Sequence, residues 1–279
     1  MNNYPEGALL VRQAGEGQWS FEYPRLSWDV LEEFHEAIEL WRTGYVTDAE
    51  AAYRQLTADL PEFIDAHHHL ALLLSETERP DEAYRLWGQT VAMGLGCLPE
   101  AFEMGRDLLP WSMLENRPFL RAYHALGLEY LERGRVADAL EVFENLLAMN
   151  PGDNQGVRAL AIDCHFLQGH PERVLEVCDR YPGDGMAHVT YGRALALYQL
   201  GRQAEADEAL TQAIEWLSLV GRELTKKRHP RPRGLHPDRV THGGADQAYY
   251  YWEDQGQHWK GTPGAIEWVR ECLQQRKSQ

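Results

Sequence analysis

The run Tyr123-His124-Ala125-Leu126-Gly127-Leu128-Glu129-Tyr130, followed by Gly134-Arg135, Ala139, Phe143 and Pro151, decides the fold. Its apolar residues recur at helical spacing, with Leu126 and Tyr130 on one segment and Ala139, Leu140, Phe143 and Leu147 on the next. Such spacing gives each segment a single apolar face. Gly134 between them suits a left-handed cap at which the chain reverses, and Pro151 stops the second segment. The reading is a pair of antiparallel helices.

One hairpin of this kind cannot bury its own face, so copies are expected beside it. The interval of 34 from Ala49 to Ala83 recurs from Ala37 to Ala71, from Leu40 to Leu74 and from Tyr53 to Trp87. From Ala83 to Ala139 the interval is 56, which is one period plus an insertion falling near 98–119. A fourth copy runs from about Asn154 to Tyr181 and turns at Gly169-His170-Pro171; a fifth holds Ala194, Gly201-Arg202 and Ala206. Ala49, Ala83, Ala139 and Ala206 permit close approach where paired helices cross. Gly44, Gly134, Gly169 and Gly201 end the first helices, and Pro61 and Pro151 end second ones. Residues in this order resemble the tetratricopeptide repeat (TPR), with Tyr123 where that family usually carries Trp. The resemblance covers roughly residues 30–217. It implies an all-α fold: an α-solenoid of about five TPR-like helical hairpins, with an insertion after the second and a C-terminal helical cap.

Four segments are expected around and within the array. Residues 1–29 form an aromatic-rich segment, whose runs Ala8 to Arg12 and Trp19 to Tyr23 flank Gly15-Glu16-Gly17-Gln18 and suit a small hairpin or an extended arm. The array itself spans 30–217, and its insertion at about 98–119, with Pro99-Glu100-Ala101-Phe102 and Pro110-Trp111, predicts one or two short helices. Residues 218–245 read as a basic loop carrying Arg222, Lys226, Lys227, Arg228, Arg231, Arg233 and Arg239. Residues 246–279 read as a helical cap for the last apolar surface. Asp246 is expected to cap its first helix, and Thr262-Pro263 to start a second with Ile266, Val269 and Leu273 on one face.

Lys and Arg number 27 against 43 Asp and Glu, a net charge of −16. That charge disfavours general nucleic-acid or anionic-membrane binding. No stretch approaches the roughly 20 apolar residues that cross a bilayer. Met1-Asn2-Asn3-Tyr4-Pro5-Glu6 leads into no apolar run, so a cytoplasmic address is expected. Cys97, Cys164, Cys178 and Cys272 lack the close pairing of zinc or redox motifs and read as buried thiols. His67, His68 and His69 are consecutive, yet successive helical residues point about 100° apart and do not converge on one ion. His35-Glu36 lacks the second His of a zincin helix, and His242-Gly243-Gly244 has no Gly-x-Ser-x-Gly turn to serve. No catalytic residue, metal ligand set or cofactor site is assigned.

In TPR proteins the first helix of each repeat lines a concave groove for a partner segment, and the resemblance implies the same use here. The period then selects Phe34, His68, His124, Arg158 and Tyr191 as one row, to which Arg121 and His188 add, with Ile38, Leu72, Leu128, Ile162 and Leu195 as an apolar track one turn on. Chaperone-binding members carry Lys and Asn where this chain has Phe34 and Ile38, which argues against that use. The expected partner is a protein or peptide segment, with acidic groups suited to the cationic-capable row. Four other readings stay open. The chain's own ends could fill the groove, acidic residues of the same chain could already occupy the cationic row, the histidines could serve a metal-binding or hydrolytic protein, and residues 222–239 could contact nucleic acid.

Overall fold

The computed structural model describes residues 8–236 and 239–276, so the first seven residues of the arm, residues 237–238 of the basic loop and the last three of the cap lie outside it. The described chain divides into two units, 1–157 and 158–279.

In the first unit β1 (Leu10–Gly15) and β2 (Gln18–Glu22) form an antiparallel hairpin. Alternation places Val11, Trp19 and Phe21 on its buried face. Three helical hairpins follow: α1 (Trp28–Arg42) with α2 (Val46–Asp59), α3 (Ile64–Glu76) with α4 (Pro80–Gly96), and α5 (Arg117–Glu132) with α6 (Val136–Met149). Ala37, Ala49, Ala71, Ala83 and Ala139 are fully enclosed, as the crossing positions require. Tyr53, Trp87 and Phe143 fill the volume that those alanines leave. Ser27 caps α1 by accepting the Val30 amide at 3.3 Å, and Pro80 occupies the first turn of α4. The turns after α1 and α5 use Gly44 and Gly134 at φ 89° and 70°. The equivalent turn after α3 uses Glu78 at φ 60° instead.

The insertion meets its expectation only in part. Among the described residues it holds a single 3-10 turn, Leu114–Asn116, and no α-helix before α5 begins at Arg117. The reason is pairing with the hairpin. Trp19 N–H donates to the Leu108 carbonyl at 2.9 Å, and Leu108 N–H donates to the Gly17 carbonyl at 2.8 Å. Asn116, fully buried, accepts from Phe21 N–H at 3.0 Å and donates to the carbonyls of Trp19 and Pro110 at 3.0 and 3.1 Å. The Phe21 ring then lies 5.1 Å from Phe119 on α5. Backbone committed to a neighbouring strand is not free to coil into a helix.

In the second unit α7 (Val157–Leu167) and α8 (Pro171–Arg180) flank the turn at Gly169, and α9 (Ala187–Gln199) pairs with α10 (Gln203–Trp216) through Gly201. α11 (Ser218–Leu224) takes up the start of the stretch expected to be a loop, because Val220 and Leu224, one turn apart, both bury. α12 (Ala245–Gly261) and α13 (Ala265–Gln275) complete the unit. The cap of α12 is Gly244; Asp246 sits inside the first turn and accepts from Thr241 N–H at 2.7 Å and Gln247 N–H at 2.9 Å. Tyr251, Trp252, Trp259 and Trp268 from these two helices join the core of α9 and α10. No helix among the described residues is long and apolar enough to cross a membrane.

Candidate interaction surfaces

Each unit carries its share of the row selected by the period. In the first, Phe34 is enclosed, with Phe63 at 5.0 Å, His69 at 4.9 Å and Tyr53 at 6.0 Å between ring centres. His68 is buried too, and its Nδ1 accepts the Trp87 indole N–H at 3.1 Å. Burial, with the charges of His69, Arg121 and His124 adding and Asp65 opposing, pushes its pKa down to about 3. His68 is therefore a neutral core acceptor. Both residues hold the hairpins together and do not line an open face.

Arg121 is half-exposed, and its Nη2 lies 2.9 Å from both carboxylate oxygens of Asp65. Burial would raise the Asp65 pKa, but the hydrogen bond from His69 and the charge of Arg121 outweigh it and hold the carboxyl below its usual range. His124 is half-buried, its pKa pushed down by burial against a smaller opposing effect of Asp153. Its Nε2 and the Nε of Arg121 are enclosed without a hydrogen-bond partner. The three consecutive histidines diverge: His67 reaches the Pro61 carbonyl at 2.8 Å, His68 the Trp87 indole, and His69 the Asp65 carbonyl at 2.9 Å. Among the described residues no three metal-ligating side chains gather.

In the second unit Arg158 pairs with Asp184 at 2.5 Å and lies over the Tyr181 ring at 5.2 Å. His188 faces Asp254 of α12 at 3.4 Å and meets the Tyr251 ring edge-on at 5.4 Å. Tyr191 is fully enclosed, donates to the Leu217 carbonyl at 2.9 Å, and packs against Tyr251 and Trp259. α12 thus lies along the α7 and α9 side of this unit. It is fixed there by Asp163, which accepts from Gln255 at 3.0 Å and sits 2.7 Å from His258 Nε2, and by the stacking of His258 on Phe166 at 5.0 Å.

Arg121, Arg158 and His188 each face an acid of the same unit, so the cationic character expected of the row is locally neutralised. The apolar track separates the units more sharply. Ile38 and Leu72 are half-buried and Leu128 is 37% exposed in the first, whereas Ile162 and Leu195 are 0% and 1% exposed in the second. Sequence reasoning left open that acids of the same chain occupy these sites but did not name which. Asp65 and Arg121 had a readable signal, because the interval between them equals the one that joins Ala83 to Ala139. Asp184 and Asp254 lie in a turn and in the cap, where the period gives no register.

The family model described as transcriptional repressor TCF25 matches residues 37–276. A search of curated proteins finds no match. Among solved structures, the chain is similar to kinesin-light-chain TPR-like repeats from Podosopora anserina, at 17% identity over 67% of this chain and 93% of that one, with a TM-score of 0.46. It is similar to YrrB, a TPR protein with an unusual peptide-binding site, at 16% identity over 66% and 84%, with a TM-score of 0.46. It is also similar to the C-terminal part of a TPR repeat-containing protein from Cytophaga hutchinsonii, at 11% identity over 86% and 77%, with a TM-score of 0.48.

Proposed function

The chain belongs to the TCF25 family, and we propose from that premise that it is a protein-interaction scaffold serving the repression of transcription that the family's description names. We place its partner along the first unit, on the Ile38, Leu72 and Leu128 track. One observation carries the reading: the same track is partly exposed in the first unit and buried in the second, where a helix of the chain itself lies along α7 and α9. Repeats of one design present one kind of surface, so the second unit supplies a template for what the first would take. The template is an aromatic-bearing helix with a polar edge, like α12 with its Tyr251, Trp259 and His258. An apolar face filled by a helix is a standard mode of recognition.

An acidic partner is the narrower reading. It would have to displace Asp65 from Arg121, since that carboxylate already occupies the guanidinium. An apolar helix needs no such exchange and leaves the ion pair at the rim.

The test uses the full chain tethered to a reporter promoter, beside Leu72→Glu with Leu128→Glu and a surface control, Glu132→Gln. Repression by the parent and control, its loss in the double variant, and unchanged circular dichroism are expected. Equal repression by all three would overturn the placement; none by the parent would overturn the scaffold reading.

A further inference from the structure

A cleft of about 670 Å³ opens in the second unit between α10, α11 and α13. Its lining is unusual for this chain. Arg222, Arg270 and Arg276 all border it, with Ser218 and Thr225 beside them, and Glu215 is the one acid. Glu215 is engaged already, 2.7 Å from Arg276, which also donates to the Thr211 carbonyl at 3.2 Å. Arg270 pairs with Glu267 and donates to the Thr225 carbonyl at 3.4 Å. Arg222 has no ion pair among the described residues. Other arginines of the chain, such as Arg54, Arg79, Arg133 and Arg202, each meet a carboxylate. Counting Glu267 with its partner Arg270, three guanidinium groups meet two carboxylates, and Arg222 is the cation left over in a protein of −16.

We propose that this cleft binds a phosphoryl group carried on a partner polypeptide. The donors select the ligand. A carboxylate brings one negative charge, whereas a phosphorylated side chain brings about −1.5 to −2 at neutral pH and three acceptor oxygens. Guanidinium forks match those oxygens with paired donors, and the two hydroxyls add single ones. Lys227 and Arg228 follow Thr225 of the lining within three residues, exposed and without ion pairs among the described residues. They offer an acidic residue beside the phosphoryl group a further contact. A nucleic acid is disfavoured, because a long polyanion lies against the rest of a −16 surface, while a single phosphoryl group feels mainly charges within about 8 Å at physiological salt. The proposal is independent of the first unit's track.

Isothermal titration of the full chain at fixed ionic strength tests it, with four probes: inorganic phosphate, a degenerate phosphoserine peptide pool, its serine twin, and a single-stranded oligonucleotide. The phosphoserine pool is expected to bind at least about tenfold tighter than the serine pool, with Arg222→Ala removing most of that difference. Arg222 is exposed and unpaired, so its variant should keep the parent's circular dichroism and melting point. Arg222→Lys, which keeps the charge and loses the fork, should recover part of the affinity. Equal binding of the two pools, or an unchanged preference in a folded Arg222→Ala, overturns the site. Tighter Arg222-dependent binding of the oligonucleotide overturns the polypeptide as its source. Inorganic phosphate binding as well as the phosphoserine pool does the same in favour of the free ion.

Discussion

The indole N–H of Trp87 donates to Nδ1 of His68 at 3.1 Å within the α3 and α4 hairpin. The bond requires a neutral ring, and burial holds the His68 pKa at about 3 in the folded chain, against about 6.5 when unfolded. Between those values the unfolded state binds a proton that the folded state refuses, so stability is full above about pH 6.5 and falls as the pH drops. From pH 7 to pH 5 this one residue should remove about 2 kcal/mol. His67 and His124, whose pKa values burial also lowers, act in the same direction. Urea unfolding at the two pH values, for the parent and for His68→Gln, checks the claim. Identical pH dependence in both would contradict it, because Gln can accept the indole N–H without titrating.

Asn116 is the joint between hairpin and helices. Replacing it with Leu strands the Phe21 N–H and the Trp19 carbonyl in a buried site, while the Pro110 carbonyl keeps the Met113 N–H at 3.1 Å. Each buried group left unpaired costs about 1–3 kcal/mol, so Asn116→Leu should lose at least about 2 kcal/mol in urea unfolding. A loss under about 1 kcal/mol, on the order of one surface substitution, would show that the hairpin is held by Phe21 packing alone.

The repeat was legible because its small residues are forced: Ala49, Ala83 and Ala139 sit at crossings with no room for more, and Gly44 and Gly134 occupy left-handed turns. The same logic exposes a flaw after α3. Glu78 stands one period after Gly44 and adopts φ 60° with a side chain attached. A left-handed residue other than glycine costs about 1–2 kcal/mol, and part of that is offset by the extra freedom glycine has when unfolded. Glu78→Gly should therefore raise stability by about 0.5–1 kcal/mol. A lower melting temperature in calorimetry would rule this out.

Less of the surface was legible than of the core. Period arithmetic chose Phe34, His68 and Tyr191 as groove residues, but a register position does not say how far a side chain is covered by the next element. For Tyr191 the covering element is α12, which lies outside the repeat and obeys no period. The insertion forms no more than one 3-10 turn for a similar reason, since its backbone at Leu108 answers to the strand at Trp19 and not to its own propensity.

Gly127 closes α5 onto α6. A Cβ there would lie 2.5 Å from Cε1 of Phe143 and 3.0 Å from Cγ1 of Val142. Gly127→Ala gains about 1 kcal/mol of helix propensity, yet overpacking an enclosed ring costs about 1–3 kcal/mol. Net destabilisation is expected, and Phe143→Leu in the same chain should relieve it by making room. Failure of the double variant to recover relative to Phe143→Leu alone, in a double-mutant cycle, would mean that the contact is not the cause.

The last expectation concerns what holds α12 on its own unit. Among the described residues Asp163 is the one acceptor shown for both Gln255 and His258, and Gln255 is 2% exposed. Asp163→Ala leaves that amide buried without this partner, at a cost of about 1–3 kcal/mol, while the aromatic contacts of Tyr251 and Trp259 stay in place. Local opening of α12 should then become easier than opening of the whole unit. Hydrogen exchange should show amides of residues 245–261 exchanging about tenfold faster or more, with those of α1 to α4 unchanged. Asp163→Asn, which keeps one acceptor oxygen, should fall between the two. A free peptide of residues 245–261 should also bind the Asp163→Ala chain with the segment deleted more weakly than it binds the deleted parent. Acceleration spread evenly over the second unit would mean that α12 opens only when the unit unfolds, and that its face is permanent core with no exchange between closed and open states.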